Sequence, residues 1–288
     1  MANLNGSTHE KQVNNAIRRL EARGEKRFGT DSHLTHSNST AEKREMYLND
    51  FAQYAQNKGF EDKLNTLMTK ENIQEFISER TLELGDKSSL DYAAGFNSML
   101  QGLQETKVGI PDGAKEVLQE ATSSFREDFN KNNDFQKDRA ITDTKGFIGE
   151  LRDIREESAV IAELQLETGL RVSEALEVMS NFESHYLPDN NSLMGIIGKG
   201  GQEYEIKEVS PVLIAKIESI ERVPSYSTYY RDLKGLEVKP HDLRITYAKE
   251  KFEELKEQGY SKNQALKEVS KELNHHRESI TQYYLIRA

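Results

Sequence analysis

One stretch of this chain departs from the pattern of the rest. Nearly everywhere, apolar residues recur every three to four positions, the spacing of one helix face. Between Leu193 and Val209 they do not. Met194, Ile196 and Ile197 precede Gly198, Lys199, Gly200 and Gly201, and Tyr204, Ile206 and Val209 follow. Two short apolar runs around a Gly-rich turn predict a β-hairpin. The fold class that follows is mainly α with a small antiparallel β-sheet. With 288 residues, the chain is long enough for two domains of ordinary size.

The helical pattern also divides the chain. A polar helix is expected near residues 8–23, with Val13, Ile17 and Leu20 about a turn apart. Ser39 with Glu42 fits a capping box that opens a second helix, which Gly59 would stop. Thr69 would start a third, and Ser88 with Asp91 a fourth carrying Phe96, Met99 and Leu103. Gly109 and Pro111 mark a joint, and the polar, Asn-rich stretch 131–138 marks a domain boundary. Beyond it, residues 145–168 read as helix up to Gly169. The pattern resumes over Arg171 to Met179, after Pro211, at about 241–258 and 262–273, and over Ile280 to Leu285. The domains expected are a basic N-terminal arm (1–30), a helical domain with its connector (31–132), and a C-terminal domain with the hairpin (133–288).

Composition removes several chemistries. Cysteine is absent, which excludes disulfides, thiolate catalysis and Cys-ligated zinc. No apolar run approaches the roughly 18 residues that span a bilayer. Met1 to Lys11 has no apolar signal-peptide core, so the cytoplasm is the expected location. The net charge of −10 argues against a polyanionic partner when taken alone. The acidic excess is concentrated in residues 101–180, however, and both ends of the chain are mildly basic. Residues 1–28 carry Lys11, Arg18, Arg19, Arg23, Lys26 and Arg27, which suit either a DNA-contacting arm or a solvated helix.

Four separate pieces of the C-terminal half carry candidate chemistry. The first is Thr168 to Leu176 (TGLRVSEAL), with Arg171 and, one turn on, Glu174. The second is His241 to Arg244 (HDLR), whose His and Arg share a helix face and can address one anion. The third is Leu273 to Leu285 (LNHHRESITQYYL), with His275 and, nine residues later, Tyr284. The fourth is Lys199 in the hairpin turn. Singly, each also reads as ordinary structure: a helix corner, a solvated pair, a buried terminal aromatic, a solubilising turn.

Their order and spacing from about residue 139 onward resemble those of the tyrosine recombinases, the phage-integrase family, and in particular integrase-domain proteins of bacterial mobile elements. The resemblance implies a helical, SAM-like core-binding domain at 31–132 and a catalytic domain at 133–288, together clamping duplex DNA. It assigns Arg171 and Arg244 to the scissile phosphate and Tyr284 to nucleophilic attack, leaving a 3′-phosphotyrosine and a free 5′-hydroxyl. Lys199 would protonate the leaving oxygen, His241 would take the tyrosine proton, and His275 would hydrogen-bond a phosphate oxygen. Glu174 would orient the cluster. The chemistry calls for these residue types, since two guanidiniums offset the charge of a pentacoordinate phosphorus. Neither cofactor nor metal is implied. The partners implied are double-stranded DNA recombination sites, further copies forming a tetramer on DNA, and an accessory bending or directionality factor, with no membrane. The location implied is cytoplasmic and nucleoid-associated.

Two departures from the family pattern stand out. Asn274 replaces a usual glycine, and asparagine tolerates the left-handed backbone region better than most residues. Ile245 follows Arg244 where a histidine is frequent. Tyr283 and His276 are the lesser candidates beside Tyr284 and His275. Other classes also fit parts of the sequence. Residues 260–285 resemble a helix-turn-helix, as in a non-catalytic DNA-binding regulator. An accessory protein that assembles complexes without chemistry is another, and a metal site of His241, His275 and His276 a third.

Overall fold

The computed structural model describes residues 2–25, 32–132, 138–199, 201–275 and 277–288. Lys26, Arg27, Gly200 and His276 lie outside the described residues. The chain divides into two units, Met1–Asp134 and Phe135–Ala288. Among the described residues no helix is long and apolar enough to cross a membrane.

The first unit is helical: α1 (His9–Leu20), α2 (Asn38–Asn57), α3 (Leu64–Leu67), α4 (Lys70–Thr81), α5 (Asp86–Glu105) and α6 (Ala114–Asn132). Its core centres on an aromatic cluster in which Phe51 meets Phe76 and Phe96 at ring-centroid distances of 5.2 and 6.1 Å. Such edge-on pairs add to the burial of each ring. The segment expected to be an arm is part of this unit, because Val13, Ala16 and Leu20 of α1 are buried in the same core. Helix starts differ from expectation at two places. Ser37 rather than Ser39 caps α2, its hydroxyl accepting the Thr40 N–H at 3.3 Å. Helix α5 begins at Asp86 after Gly85, so Ser88 and Asp91 lie inside it. Asp86 places a negative charge on the first turn, where the helix dipole favours one.

The second unit contains α7 (Thr144–Ile154), α8 (Glu156–Thr168), α9 (Val172–Ser180), α10 (Phe182–His185), α11 (Pro211–Glu218), α12 (Tyr226–Gly235), α13 (Pro240–Glu257), α14 (Lys262–Glu272) and α15 (Glu278–Arg287). Its strands are β1 (Tyr186–Leu187), β2 (Ser192–Leu193) and β3 (Lys207–Glu208), in the order β1-β2-β3. Both pairings are antiparallel, with Tyr186 opposite Leu193 and Leu193 opposite Lys207. The fold is therefore mainly α with a small antiparallel sheet. The hairpin expected at 193–209 is β2, β3 and the Gly-rich turn, extended by the bridge of Ile197 with Glu203. Strand β1 and helices α3, α6, α10 and α12 are not among the elements expected from the sequence.

Helix α8 is central, with Ala159, Val160, Ile161, Ala162 and Leu164 all buried. The continuous helix expected over 145–168 is broken at Arg155, which takes an extended conformation. The break has a tertiary cause. Arg155 Nε and the Ser158 hydroxyl both donate to Asp232 Oδ2 of α12, each at 2.8 Å. Periodicity cannot report a partner 77 residues away.

His185 fastens the sheet to α9. Its Nδ1 lies 2.8 Å from the Met194 carbonyl and its Nε2 2.8 Å from a Glu177 carboxylate oxygen. Both neighbours only accept, so the charged imidazolium satisfies both. Burial opposes that charge, but the Glu177 carboxylate and the Met194 carbonyl outweigh it and raise the histidine above its ordinary pKa. The stabilisation is full below the unfolded-state pKa and is lost as pH rises through the raised folded value. Thermal midpoints of the wild type and His185→Gln should therefore differ most below the ordinary histidine pKa and draw together as pH rises above it.

Candidate functional site

The site is assembled from the ends of α8 and α14, the starts of α9 and α13, helix α15 and the hairpin. Helix α8 ends at Gly169, in the left-handed region with φ 69°. Leu170 follows, and Arg171 is the N-cap of α9. This short corner fixes where Arg171 leaves the backbone. Pro240 opens α13, placing His241 and Arg244 on its first turns. After α14, Asn274 adopts φ 51°, the left-handed geometry expected of it, and turns the chain into His275. Asn274 Nδ2 donates to the Gln202 carbonyl at 3.1 Å, tying that turn to the hairpin.

Arg244 is the centre of the arrangement and is 0% exposed. Its Nη1 donates to the Gly169 carbonyl and, at 3.1 Å, to the Tyr204 hydroxyl. Its Nη2 donates to the Leu273 carbonyl and lies 3.1 Å from His275 Nε2. Its buried Nε has no hydrogen-bond partner among the described residues. Because a guanidinium only donates, the network assigns the His275 lone pair to Nε2 and the proton to Nδ1. Nδ1 is 2.8 Å from the Thr281 hydroxyl, which in turn is 2.8 Å from that of Ser270. His275 thus sits against Arg244 with both nitrogens engaged.

Arg171 shares the cluster. Its Nη1 donates to Glu174 Oε1 at 3.0 Å and to the Tyr204 hydroxyl at 2.9 Å, while its main-chain N–H donates to Glu174 Oε2 at 2.7 Å. Tyr204 donates to Glu174 at 2.7 Å. The Glu174 carboxylate also lies 3.4 Å from the Lys199 main-chain nitrogen. The Lys199 side chain itself stands exposed on the turn.

Tyr284 of α15 is 5% exposed, with its ring edge-on to His241 and to His275 at 4.9 Å each. It also lies within electrostatic reach of Arg171. Tyr283 points elsewhere, 40% exposed, with the Arg287 guanidinium 4.4 Å from its ring centre. The packing therefore separates the two tyrosine candidates. Desolvation, then the cations of Arg244, Arg139 and Arg171, push His241 down to about 4, with Asp242 opposing. Solvent reaches this residue, so the nearby positive charges are the firmer cause. His241 is neutral at physiological pH.

The structure thus brings Arg171, Glu174, His241, Arg244, His275 and Tyr284 together, and leaves the Lys199 ammonium at the rim. Among the described residues no cluster of three or more His, Asp or Glu is placed to hold a metal. The N-terminal arginines differ from one another. Arg18 is exposed. Arg19 donates to the Thr106 carbonyl and to Asn15, and Arg23 pairs with Glu21 and Asn38.

Sequence reading missed Tyr204, Thr281, Ser270 and Lys207. Lys207 is buried, donates to the Glu272 carbonyl at 2.6 Å, and lies 5.7 and 6.0 Å from the ring centres of Tyr204 and Tyr247. Burial lowers its pKa to about 8. The only available signal was a lysine at an inward-facing strand position, and that requires the register.

No family model and no curated protein matches the sequence. Solved structures similar to this chain include the following two. One is the Tn1549 transposon integrase in complex with a circular intermediate DNA. It has a TM-score of 0.59 and 12% identity, over 97% of this chain and 95% of that one. The other is the XerH site-specific recombinase in a post-cleavage complex with a palindromic difH substrate. It has a TM-score of 0.57 and 14% identity, over 96% of this chain and 79% of that one.

Gly169 tests the corner that sets the site. A Cβ there would lie 2.5 Å from the Tyr247 ring, and φ is left-handed. Gly169→Ala should cost at least about 1–2 kcal/mol from backbone geometry alone, read by chemical denaturation. The His241 resonance, followed by NMR, should titrate near 4 rather than near its ordinary value. The two solved structures and this chain share one fold across nearly its whole length.

Proposed function

We propose that the protein is a tyrosine-type site-specific DNA recombinase, which cuts and rejoins DNA through a 3′-phosphotyrosine and integrates or excises a mobile element. One observation carries the reading. The Tyr284 ring is held between His241 and His275, and His275 rests on the Arg244 guanidinium. The shared fold with an integrase and a recombinase, each solved with DNA, supports it.

In this reading the scissile phosphate docks between the two arginines. A buried N–H without an acceptor costs about 1–3 kcal/mol, and a non-bridging oxygen would supply the acceptor that Arg244 Nε lacks. Arg171 adds a second positive charge at the expanding phosphorus. The Tyr284 oxygen attacks phosphorus and its proton passes to neutral His241, whose basicity the incoming anion raises. The P–O5′ bond breaks, and Lys199 gives the departing oxygen its proton once the exposed turn has closed on DNA. Religation reverses these transfers. His275 acts through Arg244 as much as on the phosphate, since its Nε2 already faces that guanidinium. Glu174 keeps Arg171 in place.

The remaining roles go with the same reading. Residues 31–132 form the core-binding domain and 133–288 the catalytic domain. Four copies assemble on DNA, with a bending or directionality factor as accessory. Arg18 is the N-terminal cation best placed to meet a phosphate, because Arg19 and Arg23 have internal partners.

Duplexes of randomised sequence, nicked to trap the covalent state, provide the test. The wild type should yield an SDS-stable adduct that Tyr284→Phe abolishes and Tyr283→Phe retains. Arg171→Ala should slow adduct formation by about 100-fold or more. Specific binding with no adduct from the wild type would instead favour a non-catalytic regulator.

A further inference from the structure

We propose that Tyr204 is a positioning residue for strand cleavage: its phenolic oxygen sets the separation of Arg171 and Arg244 and locks both to Glu174. The inference rests on the recombinase reading above. A phenol has one proton to give and can accept from two donors. Tyr204 uses this full capacity, donating to Glu174 at 2.7 Å and accepting from Arg171 at 2.9 Å and Arg244 at 3.1 Å. The two arginines leave different helices, and among the described residues this oxygen accepts a hydrogen bond from both.

The ring is held as firmly as the hydroxyl. Tyr204 is buried and packs into the second core. The Lys207 ammonium lies 5.7 Å from its ring centre. On another side is Gly198, where a Cβ would come within 2.9 Å of the ring. Burial, together with Glu174, pushes the phenol up to about 12 against the opposing arginines, so it stays protonated and keeps donating.

The consequence of removing the hydroxyl is asymmetric. Arg244 would keep the carbonyls of Gly169 and Leu273 and its contact with His275. Arg171 would be left with Glu174 alone and free to collapse onto it, away from the phosphate. The hairpin would loosen as well, because Glu174 also faces the Lys199 main-chain nitrogen. Tyr204 has no capacity left for substrate, so its contribution passes through the arginines.

Tyr204→Phe keeps the ring and tests the hydroxyl. With the full chain and nicked duplexes recovered from the randomised pool, the variant should form adduct about 10–100-fold more slowly than the wild type. Its duplex affinity should hold within about twofold, since the loss arises in the chemical step. A methylphosphonate at the scissile position removes the charge that the arginines offset, and there the difference from wild type should shrink. A merely structural defect would persist on both substrates, and that result overturns the proposal. Wild-type adduct rates in Tyr204→Phe overturn it too, while the wild type's own adduct leaves the recombinase reading standing. If the wild type forms no adduct on any duplex, that reading fails and this proposal falls with it.

Discussion

A positive charge with no exposure to solvent is the constraint that organises the second unit. The Arg244 guanidinium is taken wholly out of water, a change that is strongly unfavourable unless its N–H groups find acceptors. Four of them do, at the carbonyls of Gly169 and Leu273, the Tyr204 hydroxyl and His275. Each acceptor belongs to a different element: the end of α8, the end of α14, the hairpin and the turn before α15. The charge is therefore satisfied only when all of these are in place. The same closure puts Arg171 and Tyr284 beside it. Local structure, packing and the side chains of the site have one common condition.

Much of this was legible in the sequence, for definable reasons. Arg171, Arg244, His275 and Tyr284 lie in short runs whose residue order is itself the signal. Gly169 announced a helix end, and Asn274 a left-handed turn. The hairpin was readable because it breaks the helical period. Tyr204 was not, since it lies in irregular backbone between the Ile197–Glu203 bridge and β3, where nothing local says which side chains turn toward the arginines. Thr281 and Ser270 are ordinary helix residues until α14 and α15 are packed together. The break at Arg155 likewise depends on Asp232, a partner only tertiary structure supplies. Helix starts at Ser37 and Asp86 were misplaced because several polar residues nearby are comparable caps.

The overall acidity of the chain and the cationic character of the site coexist because much of the acidic charge is paired locally. Acidic side chains on α7 and α8 pair with local bases, as Glu163 does with Arg152 and Lys216. At the site, Arg171 pairs with Glu174, whose carboxylate is shared with the Tyr204 phenol. Net charge sums over both populations, and so it carried little information about either.

Helix α15 has an attachment apart from the cluster. The main-chain N–H of Arg139 donates to the Arg287 carbonyl at 2.9 Å, and Ala140 lies in the same apolar cluster as Tyr284. Arg139 and the last turn of the final helix are thus joined backbone to backbone. A displacement of the chain at residue 139 would therefore be felt at α15 through one backbone hydrogen bond as well as through the shared apolar cluster.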